Sequence, residues 1–164
     1  MSAVRRRLVG FALAALILVL DQVTKQWALD ALTNPYTRIT VTDWWEMVLV
    51  WNRGVSFGLF GGGGVPPLAL AAVTGAIAVV VAVWLLRSIT WMTTIAAGLI
   101  LGGAIGNIID RLVHGAVVDF VRWHAYGYSW PVLNIADSAI SVGVGLLIVE
   151  SLFGGKPTPK SAKE

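Results

Sequence analysis

Apolar positions run in long blocks along the chain, with little of the short alternation that marks a half-buried sheet. Residues 67–86 contain no charged side chain. Residues 89–109 contain none either, and their one strongly polar amide, Asn107, lies near the end. A helix needs about 20 apolar residues to cross the hydrocarbon core, so each block predicts a membrane span. Two further blocks are compromised. Residues 8–20 are apolar but short and continue as Asp21-Gln22-Val23-Thr24-Lys25; residues 133–153 are long enough but carry Asp137 and Glu150. Four spans are expected. Between the first two, residues 36–42 and 45–51 are rich in β-branched and aromatic side chains and predict short strands. Gly61 to Gly64 and Pro66-Pro67 then interrupt regular structure. The segment from Gly154 onward, made of Gly, Pro, Lys and Ser, reads as a disordered tail. The domain expectation is one four-helix unit over residues 1–154, with an insertion at about 30–66, followed by a disordered cytoplasmic tail over 155–164. No internal repeat is visible.

Composition strengthens this reading. Of the 164 residues 57% are hydrophobic and 13% charged, against roughly 25% charged in soluble domains. A water-soluble globule of this size has too little interior to hide so much apolar surface. The net charge is +3 and the pI about 9.6, but the basic residues flank apolar runs and form no patch of the kind that nucleic acid needs. They act as topology signals. Arg5, Arg6, Arg7, Arg87, Lys156, Lys160 and Lys163 all fall on one side of a four-span chain, which the positive-inside rule assigns to the cytoplasm. Trp84 and Trp91 then sit at the inner interface, and Trp27, Trp123 and Trp130 at the outer one. The apolar stretch after the arginine cluster is followed by no small-x-small cleavage site, so a retained first helix is expected in place of a cleaved signal peptide.

The polar residues inside this apolar frame carry the functional information. A charged group in a span costs about 2.5 to 3.5 kcal/mol on insertion scales. Seven of the nine acidic residues fall on the predicted outer half. Asp21 and Lys25 share a helix face at a spacing of four. Asn107, Asp110 and Arg111 form one face at the outer end of the third span, and Asn134 and Asp137 open the fourth. Asp21–Lys25 and Asp110–Arg111 read either as structural pairs or as parts of a site. The stripe Gly98, Gly102, Gly106 permits close helix packing, and Ser141 and Gly145 extend a similar face from Asp137. Asp119 has Arg122 as its nearest cation in sequence, and Asp137 has no basic residue within ten positions. Two carboxylates without dedicated counterions point to acid–base chemistry.

Other chemistries fit poorly. There is no cysteine, which excludes thiolate nucleophiles, thiolate metal sites and disulfides. The histidines, His114 and His124, are ten apart and lack the spacing of a zinc motif. No Gly-x-Ser-x-Gly, phosphate loop or dinucleotide fingerprint occurs. Neither a metal nor a cofactor is expected. Two aspartates sharing a proton remain, one acting as base on water and the other as acid toward a carbonyl or leaving group.

Five motifs, in order, resemble bacterial lipoprotein signal peptidase, also called signal peptidase II. They are Asp21-Gln22-Val23-Thr24-Lys25, Asn52-Arg53-Gly54-Val55-Ser56-Phe57-Gly58, Gly103-Ala104-Ile105-Gly106-Asn107-Ile108-Ile109-Asp110-Arg111, Val117-Val118-Asp119-Phe120 and Asn134-Ile135-Ala136-Asp137. Val55 and Leu133 depart from the residues common in the family, each by one apolar exchange. The resemblance implies an all-α integral membrane protein with four transmembrane helices, a small periplasmic β-sheet cradle and a short periplasmic helix. It implies an aspartic endopeptidase of the bacterial inner membrane, with both termini cytoplasmic and the site near the outer face. Asp119 and Asp137 match the catalytic dyad. Asn52, Gly54, Asn107, Arg111, Asn134 and Ala136 match positions that line the site or hold substrate, and Asp21, Lys25 and Asp110 match supporting positions. The implied substrate is a prolipoprotein whose cysteine carries diacylglycerol, cut just before that cysteine; membrane lipid is the other partner, nucleic acid is none, and a monomer is expected. Trp44, Trp45, Trp51 and Phe57 are expected to close over the peptide, with Gly54 and Gly58 giving the closing segment freedom. A proton-coupled transporter and a structural subunit with static ion pairs are the rival readings. The first predicts carboxylates through the whole depth together with inverted repeats, and the second predicts that loss of Asp119 harms folding, not turnover.

Overall fold

A computed structural model describes residues 2–33, 37–54 and 65–153. Four helices are each long and apolar enough to cross a membrane. Helix α1 spans Ala3–Ala31, α2 Pro67–Arg87, α3 Trp91–His114 and α4 Ile135–Phe153. Strands β1 (Ile39–Thr42), β2 (Trp45–Asn52), β3 (Val117–Ala125) and β4 (Tyr128–Ser129) form one antiparallel sheet in that order. The four expected spans are all present. The first is longer than its apolar core: at ~1.5 Å per residue, 29 residues reach about 44 Å, so Asp21 and Lys25 lie within the helix, well short of its end. No fifth helix occurs among the described residues. Tyr36, Phe57, Gly58, the Gly61 to Gly64 run and the expected tail lie outside them.

The helix ends follow local chemistry. Thr90 accepts the Thr93 N–H at 3.0 Å and caps α3. Pro67 occupies the first turn of α2, where its missing N–H leaves no bond unmade. Gly115 closes α3 in the left-handed region, at φ 69°.

Helix α3 is the centre of the bundle. Two-thirds of its apolar window (67%) is buried, against 22%, 22% and 17% for α1, α2 and α4. The reason is its glycine stripe. A Cβ on Gly98 would stand 2.6 Å from the Gly10 carbonyl oxygen, and one on Gly102 2.5 Å from that of Ala14. Both contacts lie on α1, so the two backbones approach as the stripe predicts. The other three helices turn apolar side chains such as Leu16, Val80 and Ile148 outward, where lipid can cover them.

The face of α4 differs from the expected one. Ala136, Ala139 and Gly143 are buried, and Gly143 meets Ala96 and Ile100 of α3. Ser141 and Gly145 face outward, with nothing near Gly145. Two steps of four residues rotate about 80° around a helix, which carries the series from Asp137 off the packing face.

Residues 112–131 hold the last turn of α3 and strands β3 and β4. Strand β3 pairs along β2, with Trp45 opposite Trp123 and Asn52 opposite Val117. A bulge between Met47 and Val50 adjusts the register. Trp123 stacks on both Trp44 and Trp45, at 5.2 and 5.5 Å. Tyr126 and Gly127, both at positive φ, form a two-residue turn to β4. The sheet sits at one end of the bundle, next to the end of α3 and the start of α4.

Candidate active site

Four elements converge where the sheet meets the helices. Asn52 comes from the end of β2, Asn107 and Asp110 from the last turns of α3, Asp119 from β3, and Asn134 and Asp137 from the start of α4. Asp119 is buried. It accepts hydrogen bonds on both oxygens, from Asn52 Nδ2 at 3.0 Å and from Asn134 Nδ2 at 2.7 Å. Asp137 accepts one on Oδ1, from Asn107 Nδ2 at 2.8 Å. Asn134 touches both acidic residues, because its Oδ1 also accepts the Asp137 backbone N–H at 2.8 Å.

Each asparagine amide is held in one orientation. An amide end is assigned by its hydrogen-bond partners, and here every carbonyl end meets a donor. Asn52 Oδ1 accepts the Gly54 N–H at 2.9 Å, Asn134 Oδ1 accepts that of Asp137, and Asn107 Oδ1 accepts Lys25 Nζ at 3.0 Å. Every NH2 end is therefore turned toward a carboxylate. Gly54 adopts φ +81°, and a Cβ there would run into Leu70 of α2, so this turn needs glycine.

Beneath the asparagines lies a buried charged cluster. Lys25 Nζ is 2.8 Å from Asp21 Oδ2 and 2.8 Å from Asp110 Oδ2. The Asp21–Lys25 pair was legible from its spacing; the Asp110–Arg111 pair does not form. Adjacent helical residues point about 100° apart, so Asp110 turns inward to Lys25 while Arg111 donates to the Asn107 carbonyl at 3.3 Å. Asp21 Oδ1 accepts the Ala136 N–H at 2.9 Å, and Asp110 Oδ2 accepts that of Val118 at 3.0 Å. The cluster thus holds both backbone segments that carry the acidic pair. Gln22, which sequence reasoning quoted without a role, bonds Asp21 at 3.2 Å and Asp110 at 3.1 Å. Its signal was an amide inside an apolar helix.

Arg122 does not serve Asp119. It pairs with Glu46 across the β2–β3 ladder, and Arg38 joins the same carboxylate at 3.5 Å. Burial raises the Asp119 carboxyl from its ordinary 3.8 to about 6. The Asn52 bond opposes the rise, repulsion by Asp137 adds to it, and Asn134 and Lys25 oppose it further. Glu150, the acidic residue near the opposite end of the bundle, bonds the hydroxyls of Thr90 and Thr93. Among the described residues no group of three or more His, Cys, Asp or Glu side chains is placed to hold a metal ion.

Two acidic side chains from different elements, in electrostatic contact and bridged by oriented amides, form an arrangement suited to proton transfer. The family model described as signal peptidase (SPase) II matches residues 13–153 of the chain. The chain belongs to this family. It is 46% identical over 151 residues to the lipoprotein signal peptidase of Rhodopseudomonas palustris strain TIE-1, covering 88% of this chain and 92% of that one. It is 42% identical over 164 residues to that of an Azoarcus species, covering 93% and 87%. Its fold matches a bacterial membrane enzyme solved by the in meso method at 2.3 Å resolution, with a TM-score of 0.75 and 28% identity over 95% of this chain and 93% of that chain. As a member of the signal peptidase II family, the protein is a membrane-embedded protease of lipoprotein processing.

Proposed function

We propose that the protein is an aspartic endopeptidase with Asp119 and Asp137 as its catalytic pair. Its substrate is a prolipoprotein whose cysteine carries diacylglycerol, and it cuts the bond just before that cysteine. The observation that carries this reading is the bridged pair itself: two carboxyl groups joined through Asn134, neither with a cation in ion-pair contact among the described residues.

The chemistry follows from the hydrogen bonds. Asp119, with a donor on each oxygen, is favoured as the anion near neutral pH. It takes a proton from water as the water oxygen attacks the scissile carbonyl carbon. Asp137 Oδ2 receives no donor among the described residues and is the atom left to give a proton to the carbonyl oxygen. Collapse of the resulting diol breaks the C–N bond: one diol hydroxyl returns its proton to Asp137 as the carbonyl re-forms, and the leaving nitrogen takes the proton that Asp119 gained. No covalent intermediate forms. Arg111, exempt from pairing with Asp110, holds a substrate carbonyl or the developing oxyanion, while Asn52, Asn107, Asn134 and Ala136 frame the peptide. Asp21, Lys25 and Asp110 support the frame, and Gly54 shapes the turn beside it.

The sheet end faces the periplasm in this reading, both termini lie in the cytoplasm, and the host membrane is the bacterial inner membrane. Residues 1–154 act as one domain, and 155–164 as a cytoplasmic tail. The charge distribution supports this orientation: Arg5, Arg6 and Arg7 at the start of α1 and Arg87 at the end of α2 lie at the end opposite the sheet, and three more lysines follow α4 in sequence.

The test uses purified wild type, Asp119→Asn and Asp137→Asn with a diacylglyceryl-modified prolipoprotein, following cleavage by gel shift and folding by thermal melting. Both variants are expected to melt cooperatively and to lose activity by about 10²–10⁴-fold. Substantial cleavage by either folded variant would remove that residue from the pair.

A further inference from the structure

Five cationic side chains lie at the sheet end: Lys25, Arg38, Arg53, Arg111 and Arg122. Lys25 is held by Asp21 and Asp110, Arg38 and Arg122 by Glu46, and Arg111 by the Asn107 carbonyl. Arg53 has no carboxylate in ion-pair contact among the described residues. It follows β2 directly and borders a cavity of about 200 Å³ lined by Trp51, Arg53, His114 and Ala116. The Trp51 and His114 rings meet at 5.6 Å, tilted by 59°. The lining comes from the end of β2, the end of α3 and the residues that follow them, and includes three nitrogen-bearing donors, Trp51, Arg53 and His114, and no acidic side chain.

Such a lining selects an anion. The guanidinium fork matches the oxygens of a phosphate, and imidazole offers an N–H in its neutral and charged forms alike. At ~30 Å³ per water the cavity holds roughly six or seven, room for a headgroup phosphate but too little for acyl chains. Its depth points the same way. Leu112 and Val113, just before His114, are apolar and exposed at 60% and 67%, so α3 is still lipid-facing one residue before the cavity. Trp51 is half-exposed at the same level, where indoles favour the headgroup layer.

We propose that this cavity binds the phosphodiester of a membrane phospholipid in the leaflet at the sheet end. Arg53 stands between Asn52, which donates to Asp119, and Gly54, whose N–H holds the Asn52 amide. A phosphate bound there braces the turn that presents Asn52. The proposal goes beyond the peptidase reading, and its binding test does not depend on that reading.

The test is calorimetric titration of the full chain in a phosphate-free maltoside detergent. The titrants are dihexanoylphosphatidylglycerol, dihexanoylglycerol and inorganic phosphate. Saturable binding of the phospholipid is expected, with none of the phosphate-free glyceride. Arg53→Gln should weaken it by at least about tenfold, as loss of a charge-assisted bidentate contact does. His114→Gln should weaken it several-fold, and Arg53→Lys, which keeps charge without the fork, should fall between wild type and Arg53→Gln. Arg53 is exposed, so its variants should keep the wild-type melting temperature. Equal affinity for the glyceride, no saturable lipid binding, or lipid affinity unchanged in both Arg53→Gln and His114→Gln would overturn the proposal. Inorganic phosphate binding as tightly as the lipid would keep a phosphate site and overturn the lipid as its source.

Discussion

Asp119 and Lys25 show how burial assigns different tasks to single residues. Asp119 is raised to about 6 in the folded chain against 3.8 for the free group, so between these values the folded state binds the extra proton. Stability from this group is then greatest below about pH 4 and falls as pH rises through 6. Asn at 119 cannot titrate. The melting temperature of Asp119→Asn should therefore gain on wild type as pH rises from 4 to 7, and a flat difference across that range would contradict the assignment. The same group as base predicts that kcat/KM falls on acidification through about 6, measured on wild type. Lys25 is structural by contrast. Lys25→Met leaves Asp21 and Asp110 buried without a cation, a loss of about 3–5 kcal/mol, read by denaturant titration in detergent. The sequence made half of this cluster legible. A spacing of four placed Asp21 beside Lys25, but Asp110 lies 85 positions from Lys25, and only the packing of α3 on α1 joins them. The proximity of Asp119 and Asp137 was likewise beyond local reasoning; it came from the family resemblance, and the folded chain supplies its physical cause in Asn134.

At the scale of elements, legibility tracked whether the signal was local. Each span declares itself by a run of apolar residues, since the bilayer demands length and hydropathy and little else. Strand β3 declares less. It carries Asp119, Arg122 and His124 among its apolar residues, and its register comes from β2, some 70 positions earlier. The turn to β4 uses Tyr126-Gly127, without the Asn-Gly or Asp-Gly pair that usually announces such a hairpin. Glycines in the spans are a sharper case, because the same residue type plays opposite parts. Gly102 faces the Ala14 carbonyl, where an added Cβ has no room, whereas Gly145 faces open space. Gly102→Ala should cost about 1–3 kcal/mol by forcing α1 and α3 apart. Gly145→Ala should be neutral or stabilise by up to about 1 kcal/mol through helix propensity. Parallel denaturation of the two variants checks the packing face of α3 directly.

The molecule as a whole is polarised along the bundle axis. At the sheet end four of the five cations are tied to protein acceptors, three of them to carboxylates. Near the opposite end are Arg5, Arg6 and Arg7 at the start of α1 and Arg87 at the end of α2, and Glu150, the carboxylate described there, accepts from two threonine hydroxyls. Among the described residues, four arginines without a carboxylate in ion-pair contact thus stand against two, Arg53 and Arg111, at the sheet end, and free charge near the span ends is what resists translocation. Four spans fix the termini on one side, so one measurement orients every element. A fluorescent protein fused after Glu164 should fold and emit in cells, while alkaline phosphatase at the same position should stay inactive. The reverse result would put the sheet, and with it Asp119 and Asp137, in the cytoplasm. A substrate whose cleavage site lies at the outer surface would then be out of reach, so this pair of fusions tests the proposed function through topology alone, without any assay of cleavage.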